Sequence, residues 1–170
     1  MQAIVRAARR GALLAVLCAT ATPTLAQGQL NVICPVQAEW CNLAAVAVGG
    51  RLWALGGRAS FFGTQYANVE VYDPATDSWR VGVPLPEGRG GLAATVLGDR
   101  VYVFGGEAPL RIFNANEMYE ATGQRWIAKA AMPTPRHGIG AVAVNGRIYI
   151  AGGATSPGFA RTDVHEEYAP

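Results

Sequence analysis

The chain has 170 residues, of which 51% are hydrophobic and 15% charged, so it has the apolar content to bury a core and too little charge for a disordered polymer. Three arginines at the front, Arg6, Arg9 and Arg10, account for the formal charge of +2; the remainder carries 11 basic and 12 acidic residues. A near-neutral, scattered charge lacks the basic footprint of a nucleic-acid binder, and 144 residues beyond a leader are about one domain's worth.

Residues 1–26 read as an export signal. A basic start is followed by the short apolar run Gly11 to Ala19, and Thr24-Leu25-Ala26 sets small residues where a signal peptidase reads, so cleavage is expected after Ala26. That run is far below the ~20 residues of a spanning helix, and no later segment approaches it, so no membrane span is expected. Arg9-Arg10 leaves Sec and twin-arginine export both open. The expected location is secreted or periplasmic. Loss of the leader removes Cys18 and leaves Cys34 and Cys41 inside segment 27–43, which reads as an N-terminal strand and a disulfide loop. An even pair in an oxidising compartment suggests a bridge; two independent buried thiols are the alternative.

From residue 44 the chain repeats. Residues 44–57, 93–106 and 140–153 superpose without a gap: a strand of small and β-branched residues, a two-residue turn (Gly49-Gly50, Gly98-Asp99, Asn145-Gly146), an arginine, a second strand with an aromatic, and a glycine pair. Such turns between apolar runs predict hairpins. The pairs Gly56-Gly57, Gly105-Gly106 and Gly152-Gly153 recur at spacings of 49 and 47. A second block recurs in step, Tyr72 to Trp79 and Tyr119 to Trp126, seven positions apart both times, then a proline-rich link to Arg89 or Arg136. The units are about 44–91, 92–138 and a partial 139–170. Each full unit of about 48 residues predicts four strands, and a four-stranded sheet repeated at that period is a propeller blade.

With its double glycine after the second strand and its spaced tyrosine and tryptophan, the chain resembles the kelch family, including the secreted or periplasmic bacterial and galactose oxidase-like propellers. The resemblance covers essentially all of residues 30–170. It implies an all-β kelch β-propeller segment of about three four-stranded blades, the last incomplete. Trp40 stands where the later units have Arg89 and Arg136, and the third unit stops before any tryptophan. Residues 30–33 fall where a fourth strand would be, so the shortage of blades is expected to be met either by a longer parent chain or by a homodimer joined head to tail.

The glycine, tyrosine and tryptophan marks read as scaffold. For Arg89 and Arg136 the reading favours structural hydrogen bonding, with a ligand role second. The variable loops after the glycine pairs, 58–68, 107–116 and 154–163, hold Arg58, Phe61, Phe62, Tyr66, Arg111, Phe113, Phe159 and Arg161. Aromatics beside arginines on loops suit a protein or glycan ligand; the alternative is that the aromatics fold back to cap the blades. His137 and His165 occupy different places in their units, and no phosphate loop, H-E-x-x-H or G-x-S-x-G motif occurs. No cofactor, metal or catalytic residue is therefore expected. The galactose oxidase resemblance lacks its cysteine bonded to tyrosine. The function expected is a non-catalytic binding module; the alternative is a carbohydrate-active enzyme, a sugar epimerase or mutarotase of the kind kelch proteins that isomerise sialic acids represent, or a degenerate galactose oxidase-like protein.

Overall fold

The structure, a computed structural model, describes residues 41–60, 62–158 and 160–170. The expected leader, residues 30–33, Cys34, Trp40, Phe61 and Phe159 lie outside the described residues. Thirteen strands and no helix occur among those described. The first sheet is β1 (Ala44–Val48), β2 (Arg51–Leu55), β3 (Val69–Asp73) and β4 (Ser78–Val81), in that order. The second contains β5 (Ala93–Leu97), β6 (Arg100–Phe104), β9 (Asn116–Glu120) and β10 (Arg125–Ala128); the third, β11 (Gly140–Val144), β12 (Arg147–Ala151) and β13 (His165–Tyr168). A small hairpin, β7 (Glu107–Ala108) with β8 (Arg111–Ile112), interrupts the second unit. All pairings are antiparallel meanders, as expected for kelch blades.

The repeated residues dictate this geometry. At Gly49-Gly50 and Asn145-Gly146 both central residues have positive φ, the arrangement whose twist matches that of the strands it joins. The arginines after the turns reach across the sheet surface, Arg51 to Asp73 at 2.9 Å and Arg147 to Glu167. Asp73 begins the next turn, where first the Ala75 N–H and then the Arg51 guanidinium hold its carboxyl below the ordinary value. The seven-position spacing of tyrosine and tryptophan also becomes geometry, because Tyr72 pairs directly with Trp79 and Tyr119 with Trp126 across the β3–β4 and β9–β10 turns. Their ring centroids lie 5.2 and 5.3 Å apart.

Two cores lie between successive sheets. One packs Trp53, Leu55, Val69 and Val71 of the first sheet against Val101 and Val103 of the second. The other packs Tyr102, Phe104 and Met118 against Ile148 and Ile150 of the third. Burying each such side chain stabilises by about 1.5–3 kcal/mol. Alternation of side chains along β6 is what lets one strand serve both, since Val101 and Val103 point one way and Tyr102 and Phe104 the other. The aromatic column repeats as well: Tyr119 meets Trp53 at 5.0 Å, and Tyr168 meets Tyr102 at 6.0 Å. Val142 and Val144 of β11 are exposed, whereas Val46 and Val48, their counterparts in β1, pack against the first core.

The glycine pairs are required at the sheet ends. Gly105 has φ +56°, and a Cβ there would collide with the carbonyl oxygen of Arg136; at Gly56, with φ +62°, a Cβ would lie 2.8 Å from the Arg89 oxygen. Gly98 also has positive φ but open space around it. Gly105→Ala is therefore expected to cost ~2–5 kcal/mol, left-handed strain plus a clash, against ~1–2 kcal/mol for Gly98→Ala, strain alone. Urea unfolding of the two variants checks the difference, and equal losses would contradict the packing role of the pair.

Candidate functional site

The residue following each glycine pair is bridged to the segment that leads into the first strand of its sheet. Cys41 bridges Arg58, Gly90 bridges Glu107, and His137 bridges Ala154, all antiparallel, with reciprocal N–H to O distances of 2.8–3.1 Å. Each glycine pair is also tied to the link that leads into the next sheet: the Gly57 N–H donates to the Arg89 oxygen at 2.8 Å and the Gly106 N–H to the Arg136 oxygen at 2.9 Å. The loops after the glycine pairs are thus carried on a backbone lattice that spans the three sheets.

Arg89 and Arg136 lie inside this lattice with side chains 0% exposed. Arg89 Nη2 donates to Glu117 Oε2 and Nη1 to the Glu87 carbonyl at 3.2 Å. Arg136 Nη2 donates to Glu166 Oε2 at 2.8 Å, and its Nη1 to the carbonyls of Gly152 and Val164 at 2.9 and 2.7 Å. Glu117 and Glu166 hold the same place in the third strand of their sheets. A guanidinium out of water needs acceptors; these partners serve the Nη atoms, the structural hydrogen bonding that the repeat position suggested, while the Nε of each arginine is buried without a hydrogen-bond partner.

The expected loop residues separate into groups. Arg58 is mostly buried and pairs with Glu107 at 2.6 Å. Tyr66 is half-buried, and its backbone N–H donates to the Gly57 oxygen at 2.8 Å. Phe113 is 5% exposed, its ring centroid 5.4 Å from the Arg89 guanidinium and 4.3 Å from that of Arg111, which is the capping geometry. Phe62 is 79% exposed, and Arg161 is exposed too. Arg111 keeps 63% of its side chain exposed while pairing with Glu87 at 3.0 Å. Next to Arg111, Leu110 at the tip of the β7–β8 hairpin is 94% exposed. Sequence reading missed Leu110, although the turn-forming Pro109 before it signals a hairpin tip. Glu107 was also missed; its signal is alignment, since it occupies the same repeat position as Arg58.

Cys41 carries a free, exposed thiol that donates to the Arg58 carbonyl at 3.3 Å; its expected partner Cys34 lies outside the described residues. Among the described residues, no three His, Cys, Asp or Glu side chains gather as a metal site. No helix among them is long and apolar enough to cross a membrane.

Arg89→Met should destabilise by about 3–5 kcal/mol, because it strands the Glu117 carboxylate in the interior. Arg111→Ala should cost under ~1 kcal/mol for its exposed pair. Chemical denaturation decides, with Arg89→Met/Glu117→Gln expected to recover part of the loss.

Comparison with known proteins gives a match over the first unit. Residues 39–86, which include the first sheet, match the family model described as Kelch motif. Kelch-like protein 15 of Homo sapiens is 37% identical over 71 residues, covering 39% of this chain and 12% of that protein. Kelch-like protein terF of Aspergillus terreus is 37% identical over 79 residues, covering 44% of this chain and 17% of that one. Kelch-like protein 22 of Homo sapiens is 34% identical over 70 residues, 41% of this chain and 11% of that protein. The chain thus spans only a small part of the relatives it matches. Residues 39–86 are thus similar to the Kelch motif, and the repeated glycine pairs and antiparallel four-stranded sheets are consistent with kelch blades.

Proposed function

We propose that this chain is an exported, non-catalytic binding module whose loops after the glycine pairs engage a protein or glycan ligand in the periplasm or outside the cell. The observation that carries the reading is the contrast within those loops. Arg58 and Phe113 are packed into the lattice, while Phe62, Leu110, Arg111 and Arg161 project from it. Apolar and guanidinium groups held on a rigid frame bind at little ordering cost, and such residues dominate interface energetics. The Kelch-like names of the matched relatives fit a repeat that serves as a recognition scaffold. Export rests on the basic, apolar and small-residue pattern of residues 1–26.

Glycan arrays and proximity labelling with the full chain, repeated with Phe62→Ser/Leu110→Ser, test the site. The variant is expected to lose at least tenfold in affinity for whatever partner emerges while its melting temperature stays within a few degrees. Undiminished binding by the variant, or turnover of sialic acids or galactosides above a no-protein control by proton NMR, would overturn the reading. Export has its own check: the product expressed from its own start in a Gram-negative host should begin at Gln27 by mass spectrometry, and retention of residues 1–26 would contradict it.

A further inference from the structure

Two side chains, Arg58 and His137, converge on one carboxylate oxygen of Glu107. Arg58, directly after the first glycine pair, places Nη1 2.6 Å from Glu107 Oε1. Glu107, directly after the second pair, is 3% exposed, and the same Oε1 lies 3.3 Å from Nδ1 of the buried His137. Nε2 of that imidazole lies 3.1 Å from the carbonyl oxygen of Ser156, in the loop after the third pair. The contacts therefore run Arg58, Glu107, His137, Ser156, and they cross two blade boundaries. Ala154, third in the register of Arg58 and Glu107, has no polar side chain to extend the run.

The backbone at this level is held tightly. Gly91 N–H donates to the Asn42 oxygen at 2.9 Å, and Gly138 N–H to the Gly91 oxygen at 2.7 Å. All three residues have left-handed φ of 55–64°, a conformation that continues from blade to blade. In the amide orientation its neighbours require, Asn42 Oδ1 accepts from Arg58 Nη2 at 2.6 Å and Nε at 2.9 Å. Arg58 is thus fixed from the segment before its unit while it reaches into the next. With the main chain so held, side-chain rearrangement is the route by which a change in one loop reaches another.

We propose that Glu107 is a coupling residue, a shared acceptor through which the state of Arg58 in the first loop sets the position of His137 and hence of the Ser156 loop. A buried carboxylate keeps its stabilisation as long as one cationic or N–H partner remains, and is left uncompensated when both are gone. Removing Arg58 therefore throws Glu107 entirely onto His137 and shifts the imidazole that touches Ser156. The coupling is carried by contiguous groups, and it holds whether or not the loops bind the ligand proposed above.

Heteronuclear NMR on the full chain tests it. Arg58→Gln is expected to shift the His137 ring nitrogens and the Ser156 amide, while Arg51→Gln, which breaks the pair with Asp73 on the sheet surface, leaves them in place. In a Glu107→Gln background, Arg58→Gln should no longer move either signal. An unmoved Ser156 amide in Arg58→Gln, or a shift that persists without the Glu107 carboxylate, would overturn the proposal. If Glu107→Gln does not fold, melting temperatures decide instead. Arg58→Gln/His137→Gln should lose more than the combined losses of the two single variants, and simple additivity would overturn the coupling.

Discussion

The structure depends on one residue position doing two jobs at each blade junction. The carbonyl oxygen of Arg89 receives the Gly57 N–H at the end of the first sheet, while its guanidinium reaches Glu117 in the third strand of the second sheet. Arg136 repeats this with Gly106 and Glu166. A buried arginine is costly unless its donors are met, so the position is acceptable only where a carboxylate and main-chain oxygens stand ready. The same oxygen explains the glycine before the donor: Gly56 and Gly105 leave room for it where a methyl group would not fit. Backbone closure, charge burial and glycine are thus one requirement, and it recurs with the period of the repeat.

How much of this was legible follows from the range of each interaction. Local ones were readable. The hairpin turns, the Tyr72–Trp79 and Tyr119–Trp126 pairings across four-strand meanders, and the glycine pairs are fixed within a few residues of one another, so spacing alone gives the sheets and their order. The second-strand aromatics recur in register, and in the fold Trp53 meets Tyr119 and Tyr102 meets Tyr168 between sheets. What could not be read depends on partners far along the chain. The repeat position suggests structural hydrogen bonding for Arg89, but its partner Glu117, 28 residues later, is identified only by the fold. Phe113 reads as a loop aromatic, and only the two guanidiniums around it show that it is packed. Glu107 hid because its register mates, Arg58 and Ala154, differ from it in charge.

The consequence for function is a division of labour within the same loops. Residues immediately after the glycine pairs are drawn into the lattice by the β-bridges and by one another, as Arg58 and Glu107 are. A few positions further, Phe62, Leu110 and Arg111 stand exposed. A rigid base with projecting apolar and cationic groups is a physical form suited to recognition, since little loop entropy is lost on contact. The shared Glu107 oxygen adds a side-chain connection to the backbone lattice that already joins these bases.

Native-state hydrogen exchange addresses the central claim, that the lattice around Arg89 and Arg136 is part of the cooperative core rather than a surface feature. The amides of Gly57, Gly91, Gly106 and Gly138 should exchange only through global unfolding, with the same denaturant dependence as Val103 and Phe104 in β6. Faster exchange at those four glycines through local opening, insensitive to denaturant while β6 stays protected, would contradict it.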